Sequence, residues 1–240
     1  CTITDIATLI EQDLAMSAKL LQLVNSSFFG FFKNIDSPAR AVALLGMDTV
    51  KALVLSVGIF TELHHVSVGS FSAKALWEHS MTVAAFAKRI AQEETKDKSL
   101  IDDVFIAGFM HDIGKLILFS SMQDQYIEAM ELAQKEQLSI CQAECQVLSA
   151  SHGDIGGYLL GLWGLPGYVV ETAAFHHRLH HYPNPSLCPA LIVHVADYLY
   201  YQLRSDTAFT PPALNTAYLE QIGLSHRLDA WIESCRQLEL

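Results

Sequence analysis

The sequence predicts an all-α protein. Three observations carry the all-α reading. Apolar residues recur at three- and four-residue steps, as Ala18, Leu21, Val24 and Phe28 do. Pro166, Pro183, Pro185, Pro211 and Pro212 fall between such segments rather than inside them. No run alternates apolar and polar residues as a half-buried strand would, and no internal repeat or low-complexity tract is present.

The elements follow in order. Residues 5–12 form a short helix and 15–28 a second, with Asn25-Ser26 ending or capping it; residues 30–35 read as a loop. Ser37-Pro38 starts a third helix, with serine as N-cap and proline in the first turn, and Gly46 ends it. Asp48 caps a fourth over 49–62. Residues 64–72, with Gly69 and nearby serines, are a linker and the best internal boundary. A long helix covers 73–94. The polar run 93–99 separates it from a helix over 102–119. Further helices are expected over 123–137, 140–150, 152–163, 167–181, 187–204, 215–222 and 226–238. The organisation predicted is a helical subdomain over 1–66, a bundle over 71–205 and a helical extension over 206–240.

With 240 residues, 51% of them hydrophobic and 17% charged, the chain can bury a sizeable core. A net charge of −11, with 15 basic residues and no basic run, argues against nucleic acid as a partner. Bound divalent ions could still draw in an anionic substrate, because they supply the positive charge themselves. Cys1, Cys141, Cys145, Cys188 and Cys235 are odd in number and form no C-x-x-C pair, which suits reduced thiols in a cytosol. Cys141 and Cys145 stand four apart and read as small apolar residues before metal ligands. No apolar stretch of roughly 18 residues is free of charges and turns, so no membrane span is expected. The chain opens on Cys1 rather than methionine, which leaves room for an upstream domain or anchor.

The chemistry concentrates at His111-Asp112, in Phe109-Met-His-Asp-Ile-Gly-Lys115. An adjacent imidazole and carboxylate can chelate one divalent ion or bridge two. His79, His152, the pair His176-His177, and Asp197 offer further ligands, each group on its own helix, and a bundle can aim them all into one pocket. Imidazole and carboxylate with almost no thiolate suit Fe, Mn, Ni, Zn or Mg, as one ion or two, acting on phosphate esters. Asp112 can bridge two ions. Lys115, four residues after His111 and on its face, can neutralise a phosphate oxygen or pair with a carboxylate. His194 lies three residues before Asp197, on the same face. His64, His65, His180, His181 and His226 read as ordinary side chains. A competing reading makes the whole cluster a relic whose histidines bond backbone carbonyls.

These residues resemble a known family. Trp77-Glu-His79, His111-Asp-Ile-Gly-Lys115, His152, Trp163-Gly-Leu-Pro166, His176-His177 and Ala196-Asp197 look like the HD superfamily of metal-dependent phosphohydrolases. The segment Asp13 to Ser26, then Phe29-Gly30, Ala41-Val42 and Leu44-Leu-Gly46, resembles the HDOD family in particular, and the likeness covers roughly 5–205. The resemblance implies a helical N-terminal subdomain on an HD-like one, in bacterial signalling proteins often fused to receiver, EAL-type or GGDEF-type domains. Many HDOD domains have lost HD ligands and have no established activity. This chain departs from that pattern in keeping a candidate for every ligand position. It also has Leu14 where the family usually has the proline of Asp-Pro. In the similar HD-GYP family a Gly-Tyr-Pro loop follows the paired histidines. Here His180-His-Tyr-Pro183 stands instead, which speaks against cyclic di-GMP hydrolysis.

Two functions compete. One is a regulatory module that relays input to signalling proteins or an upstream fused domain while retaining the metal site. The other is a metal-dependent phosphohydrolase acting on a nucleotide or other phosphate ester, with Asp112 and Lys115 as its catalytic residues. In the hydrolase, His79, His111, Asp112 and Asp197 would hold one ion. His152, His176 and His177, sharing Asp112, would hold the second. Phe28, Phe29, Phe31 and Phe32, if exposed, would mark an interaction surface, and Asn25, Ser26, Phe29 and Gly30 could shape a groove, though a structural role for Asn25-Ser26 is favoured.

Overall fold

The computed structural model describes residues 3–26, 34–63, 67–68, 71–182, 185–204 and 210–238. Most of the expected 30–35 loop, Phe28, Phe29, Phe31, Phe32, His64, His65, Gly69 and Pro183 lie outside the described residues. The chain divides into two compact units, Cys1–His64 and His65–Leu240. Both are helical.

The first unit contains α1 (Ile3–Glu11), α2 (Leu14–Val24), α3 (Pro38–Leu45) and α4 (Met47–Leu63). Asp13 caps α2, its Oδ1 accepting from the backbone N–H of Ala15 and of Met16 at 3.0 Å each. Leu14 therefore occupies the first helical position, where proline and leucine are both tolerated, and the departure from Asp-Pro leaves the cap intact. Asn25 closes α2 and bonds Ile35 in both directions, Nδ2 to the carbonyl and Oδ1 from the N–H, each at 2.7 Å. Its role is structural. The buried stripe of α2 is Leu20, Leu23 and Val24. Ala18 is exposed and Leu21 half-buried, so the core face is turned about one residue from the predicted one. Ser37 Oγ accepts from Arg40 N–H and Pro38 opens α3, as its sequence implies. Gly46 takes φ +82°, a left-handed conformation that favours glycine, and α4 starts directly after it. Asp48 is thus inside the first turn rather than a cap.

In the second unit a two-residue antiparallel ladder, β1 (Ser67–Val68) with β2 (Phe71–Ser72), precedes the helices. It is too short for alternation to register in sequence. Next come α5 (Ala73–Glu94), α6 (Lys98–Met110), α7 (Ile113–Ser121), α8 (Gln123–Glu136), α9 (Ile140–Leu148), α10 (His152–Leu162), α11 (Gly167–Phe175), α12 (Pro189–Leu203), α13 (Thr216–Gln221) and α14 (Leu228–Arg236). Two expectations are corrected. The single helix over 102–119 is two, broken at His111-Asp112, where Asp112 leaves helical geometry at φ −102°, ψ 9°. The helix over 167–181 stops at Phe175. A turn through His176-His177-Arg178 and a 3-10 turn at Leu179–His181 complete that stretch.

The core of this unit is α5 against α6 and α12, through Val83, Ala87, Ile90, Val104, Ala107, Val193, Ala196 and Leu199. Gly108 lets α6 lie on the backbone of α5: a Cβ there would stand 2.9 Å from Ala84 Cα. Lys98–Ser121 is long and apolar enough to cross a bilayer, but 83% of its most apolar window is buried in this core. The C-terminal helices belong to the same unit. Trp231 is buried on α14 and donates from Nε1 to Glu94 Oε1 at 2.9 Å, which Arg227 Nε also reaches at 2.6 Å. Burying one such ring stabilises by roughly 3 kcal/mol.

Candidate metal centre

The break between α6 and α7 creates the centre. An unbroken helix would turn adjacent side chains about 100° apart. Ending α6 at Met110 and restarting at Ile113 leaves His111 and Asp112 on one turn, both fully buried and both facing inward. Around them α5 supplies His79, α10 opens with His152, the turn after α11 supplies His176 and His177, and α12 supplies Asp197. All seven residues predicted as metal ligands come together. They form two groups, Asp112 with His152, His176 and His177, and His79 with His111 and Asp197. Within each group one ligand atom per residue lies within 4.8 Å of every other. Asp112 joins the groups: Oδ2 is 3.2 Å from His79 Nε2 and 3.3 Å from His111 Nε2, and Oδ1 is 3.2 Å from His152 Nε2.

Close backbone packing holds the two halves together. α7 and α10 touch at Gly114, where a Cβ would stand 2.0 Å from the His152 carbonyl oxygen. That contact accounts for the glycine in His-Asp-Ile-Gly-Lys. A capping box, Ser151 with Asp154, starts α10 at His152. Arg178 bridges from Asp154 Oδ1 to the Ala174 carbonyl, tying the first turn of α10 to the end of α11.

The outward hydrogen bonds fix which nitrogen faces the centre. His111 Nδ1 donates to the Gly108 carbonyl at 2.6 Å. His176 Nδ1 donates to the carbonyls of Ala173 and Thr172 at 2.9 and 3.1 Å. His152 Nδ1 donates to Glu144 Oε2 at 2.6 Å. Carbonyl and carboxylate oxygens accept only, so these Nδ1 atoms carry the protons and the Nε2 atoms point inward. The relic reading expects imidazoles spent on carbonyls. Here carbonyls take only the outward nitrogen. Asp112 Oδ1 and Asp197 Oδ1 are moreover buried, facing imidazole nitrogens: His152 Nε2 at 3.2 Å and His79 Nε2 at 3.3 Å. Converging imidazole nitrogens and two buried carboxylate oxygens are a donor set that fits a divalent cation.

The charges agree with that fit. Burial lowers the pKa of His79, of His176 and of His177, so all three are neutral and able to ligate. Burial works against an ionised Asp112. His111 and Lys115 outweigh it and hold the carboxyl well below its ordinary range. Burial likewise opposes a charged Lys115, but the Asp112 carboxylate keeps its pKa well above the usual lysine value. Burial would lower His152 too. The Glu144 and Asp112 carboxylates push it up to about 9, so a proton sits on Nε2 wherever no cation does.

Lys115 Nζ lies 2.5 Å from Asp112 Oδ2, an i,i+3 pairing with a carboxylate, one of the two roles its sequence position suggests. His194 is a brace: Nδ1 donates to the His176 carbonyl at 2.6 Å, and Nε2 accepts from Asn215 N–H at 2.9 Å. His180, His181 and His226 are exposed. Cys141, half-buried, has its thiol pushed up to about 12 by burial and then Glu144, and so has no thiolate to offer a metal near neutrality. Glu144 itself escaped the sequence reading, since a glutamate between two cysteines on an amphipathic helix carries no periodic signal.

Comparison with known proteins agrees with this architecture. The chain is 32% identical over 182 residues to an uncharacterized protein of Treponema pallidum (strain Nichols), a match covering 76% of this chain. The chain spans about a third, 35%, of the length of that curated relative. A crystal structure of an HDOD domain protein of unknown function from Geobacter sulfurreducens superposes with a TM-score of 0.70 at 25% identity, over 98% of this chain and 77% of that one. A candidate phosphohydrolase from Shewanella amazonensis SB2B shares the fold, with a TM-score of 0.66 at 21% identity, over 99% of this chain and 87% of that one. The HDOD domain family model matches residues 1–179, and the chain belongs to the HDOD family.

Proposed function

We propose that this chain is a bacterial, cytoplasmic HDOD regulatory domain built around a working divalent-metal centre, relaying input to signalling proteins or to a domain fused to it. His79, His111, Asp112 and Asp197 hold one ion. His152, His176 and His177, with Asp112 shared, hold a second. Fe, Mn, Ni, Zn and Mg all suit the donors. The observation that carries the reading is the convergence of two buried carboxylates, Asp112 and Asp197, with the inward-facing imidazoles in two groups of ligand atoms. Elemental analysis of protein purified without chelator tests it, with Asp112→Ala as control. One or two equivalents of a transition metal, lost in the variant, are expected. Metal retained by the variant at wild-type stoichiometry would sink the assignment. In the regulatory role, Asp112→Ala leaves folding and partner capture intact.

A second reading, hydrolysis of a nucleotide or other phosphate ester, is favoured by Lys115, the cation held beside the shared carboxylate. A divalent ion there would supply Lewis acidity toward a phosphoryl oxygen and make bound water a better nucleophile. Asp112 orients the centre. Lys115, at its edge, offers a fixed positive charge to a phosphate oxygen. The buried walls exclude bulk water. A phosphatase and cyclic-nucleotide screen of the metal-loaded protein separates the readings, because the regulatory role predicts no turnover.

A further inference from the structure

Glu144 is fully buried on α9, and its carboxylate is spent on one residue. Oε2 accepts from the His152 backbone N–H at 2.7 Å and from His152 Nδ1 at 2.6 Å. Oε1 is buried with no hydrogen-bond partner. A backbone N–H at a helix start needs only a neutral acceptor, and Ser151 already caps α10. An uncharged side chain would tie α9 to α10 equally well, without the heavy desolvation of a buried carboxylate. The charge must therefore serve the imidazole.

The other braced rings show the contrast. His111 and His176 lean on backbone carbonyls, and only His152 leans on a carboxylate. An anionic acceptor on Nδ1 fixes the tautomer and ring plane and makes the opposite nitrogen a stronger donor to a cation. We infer that Glu144 is the positioning residue of the second ion's site, and that this carboxylate–imidazole pair strengthens the grip of Asp112, His152, His176 and His177 on that ion. The inference rests on the metal reading proposed above and assigns an asymmetry within it. Glu144 touches neither substrate nor ion, and acts through His152.

The test is a two-site titration of the chelator-stripped full chain with Mn²⁺ alone, in wild type and Glu144→Gln. Glutamine keeps the size and one acceptor oxygen but removes the charge. Wild type should take up two equivalents with distinct affinities. Glu144→Gln should weaken one of them by about 10–100-fold and leave the other unchanged. Equal affinities in both proteins, or a parallel loss at both sites, would overturn the inference while leaving the metal reading standing. A wild type that binds no ion would remove both. Should the variant not fold, long-range ¹H–¹⁵N spectra of the zinc-loaded wild type decide the matter. The His152 Nδ1–H should resonate well downfield of the Nδ1–H of His111 and of His176, which bond carbonyls; like shifts for all three overturn the inference.

Discussion

An alanine at position 114 perturbs the centre while leaving every candidate ligand in place. Its Cβ would stand 2.0 Å from the His152 carbonyl oxygen and 2.9 Å from the Gly156 backbone nitrogen. Ordinary contact starts at 3.4 Å, so α7 and α10 must part by about 1.4 Å, the difference between that value and 2.0 Å. The obstacle is helix backbone, which cannot swing aside as a long side chain would. The cost therefore falls at the upper end for overpacking, about 3 kcal/mol, and lowers Tm by roughly 6–12 °C. The same displacement opens the contact between Asp112 Oδ1 and His152 Nε2, now 3.2 Å, and with it the grip on an ion. Metal affinity should drop at least about tenfold, since a site tolerates only some 0.5 Å of misplacement. Gly161→Ala is the control: its Cβ meets only Val170 Cγ1, at 3.9 Å, so that change should be neutral or stabilise by up to about 1 kcal/mol. Thermal melts of the stripped proteins and a metal titration read both effects. A Gly114→Ala protein that melts with wild type and binds metal equally well would refute the close-packing argument.

Three further outcomes are expected. Trp231→Ala should lower stability by about 3–5 kcal/mol in denaturant titration yet leave metal stoichiometry unchanged, because the ring anchors α14 to Glu94 rather than to the centre. Burial raises the pKa of Asp103, so its carboxyl contributes stability below its unfolded pKa that is lost as pH rises through the folded value. Asp103→Asn should then raise Tm at neutral pH and lose that advantage in acid; in melts across that range, an advantage that stays constant or grows in acid would refute this. Lys115→Met should keep the metal and lose any phosphate-ester hydrolysis. Metal loss by elemental analysis would instead make Lys115 part of what holds the centre together.

Much of the helical order was legible because each start and stop has a local cause. Ser37-Pro38 and Gly46 act within one turn of themselves, and the structure uses them so. The break at His111-Asp112 was not legible. Apolar periodicity runs straight through 102–119, and only tertiary packing shows that two ligands on one turn require the helix to stop. The face of α2 was misread by one residue because alanine and leucine at 18 and 21 fit the period as well as Leu20 and Leu23 do. Within the centre, His79, His111, Asp112, His152, His176, His177 and Asp197 stood out by type, and the structure brings them together. Their supports did not stand out. Glu144, Gly114 and His194 act through contacts with residues on other elements, and nothing in their neighbourhood announces those contacts.

The most direct test of the metal centre is anomalous diffraction from crystals of the protein grown without chelator, measured at the absorption edge of whichever metal copurifies. Two peaks are expected, one bounded by His79, His111, Asp112 and Asp197 and the other by Asp112, His152, His176 and His177. Density with no anomalous peak among these residues, in crystals soaked with Mn²⁺ as well as in native ones, would contradict it.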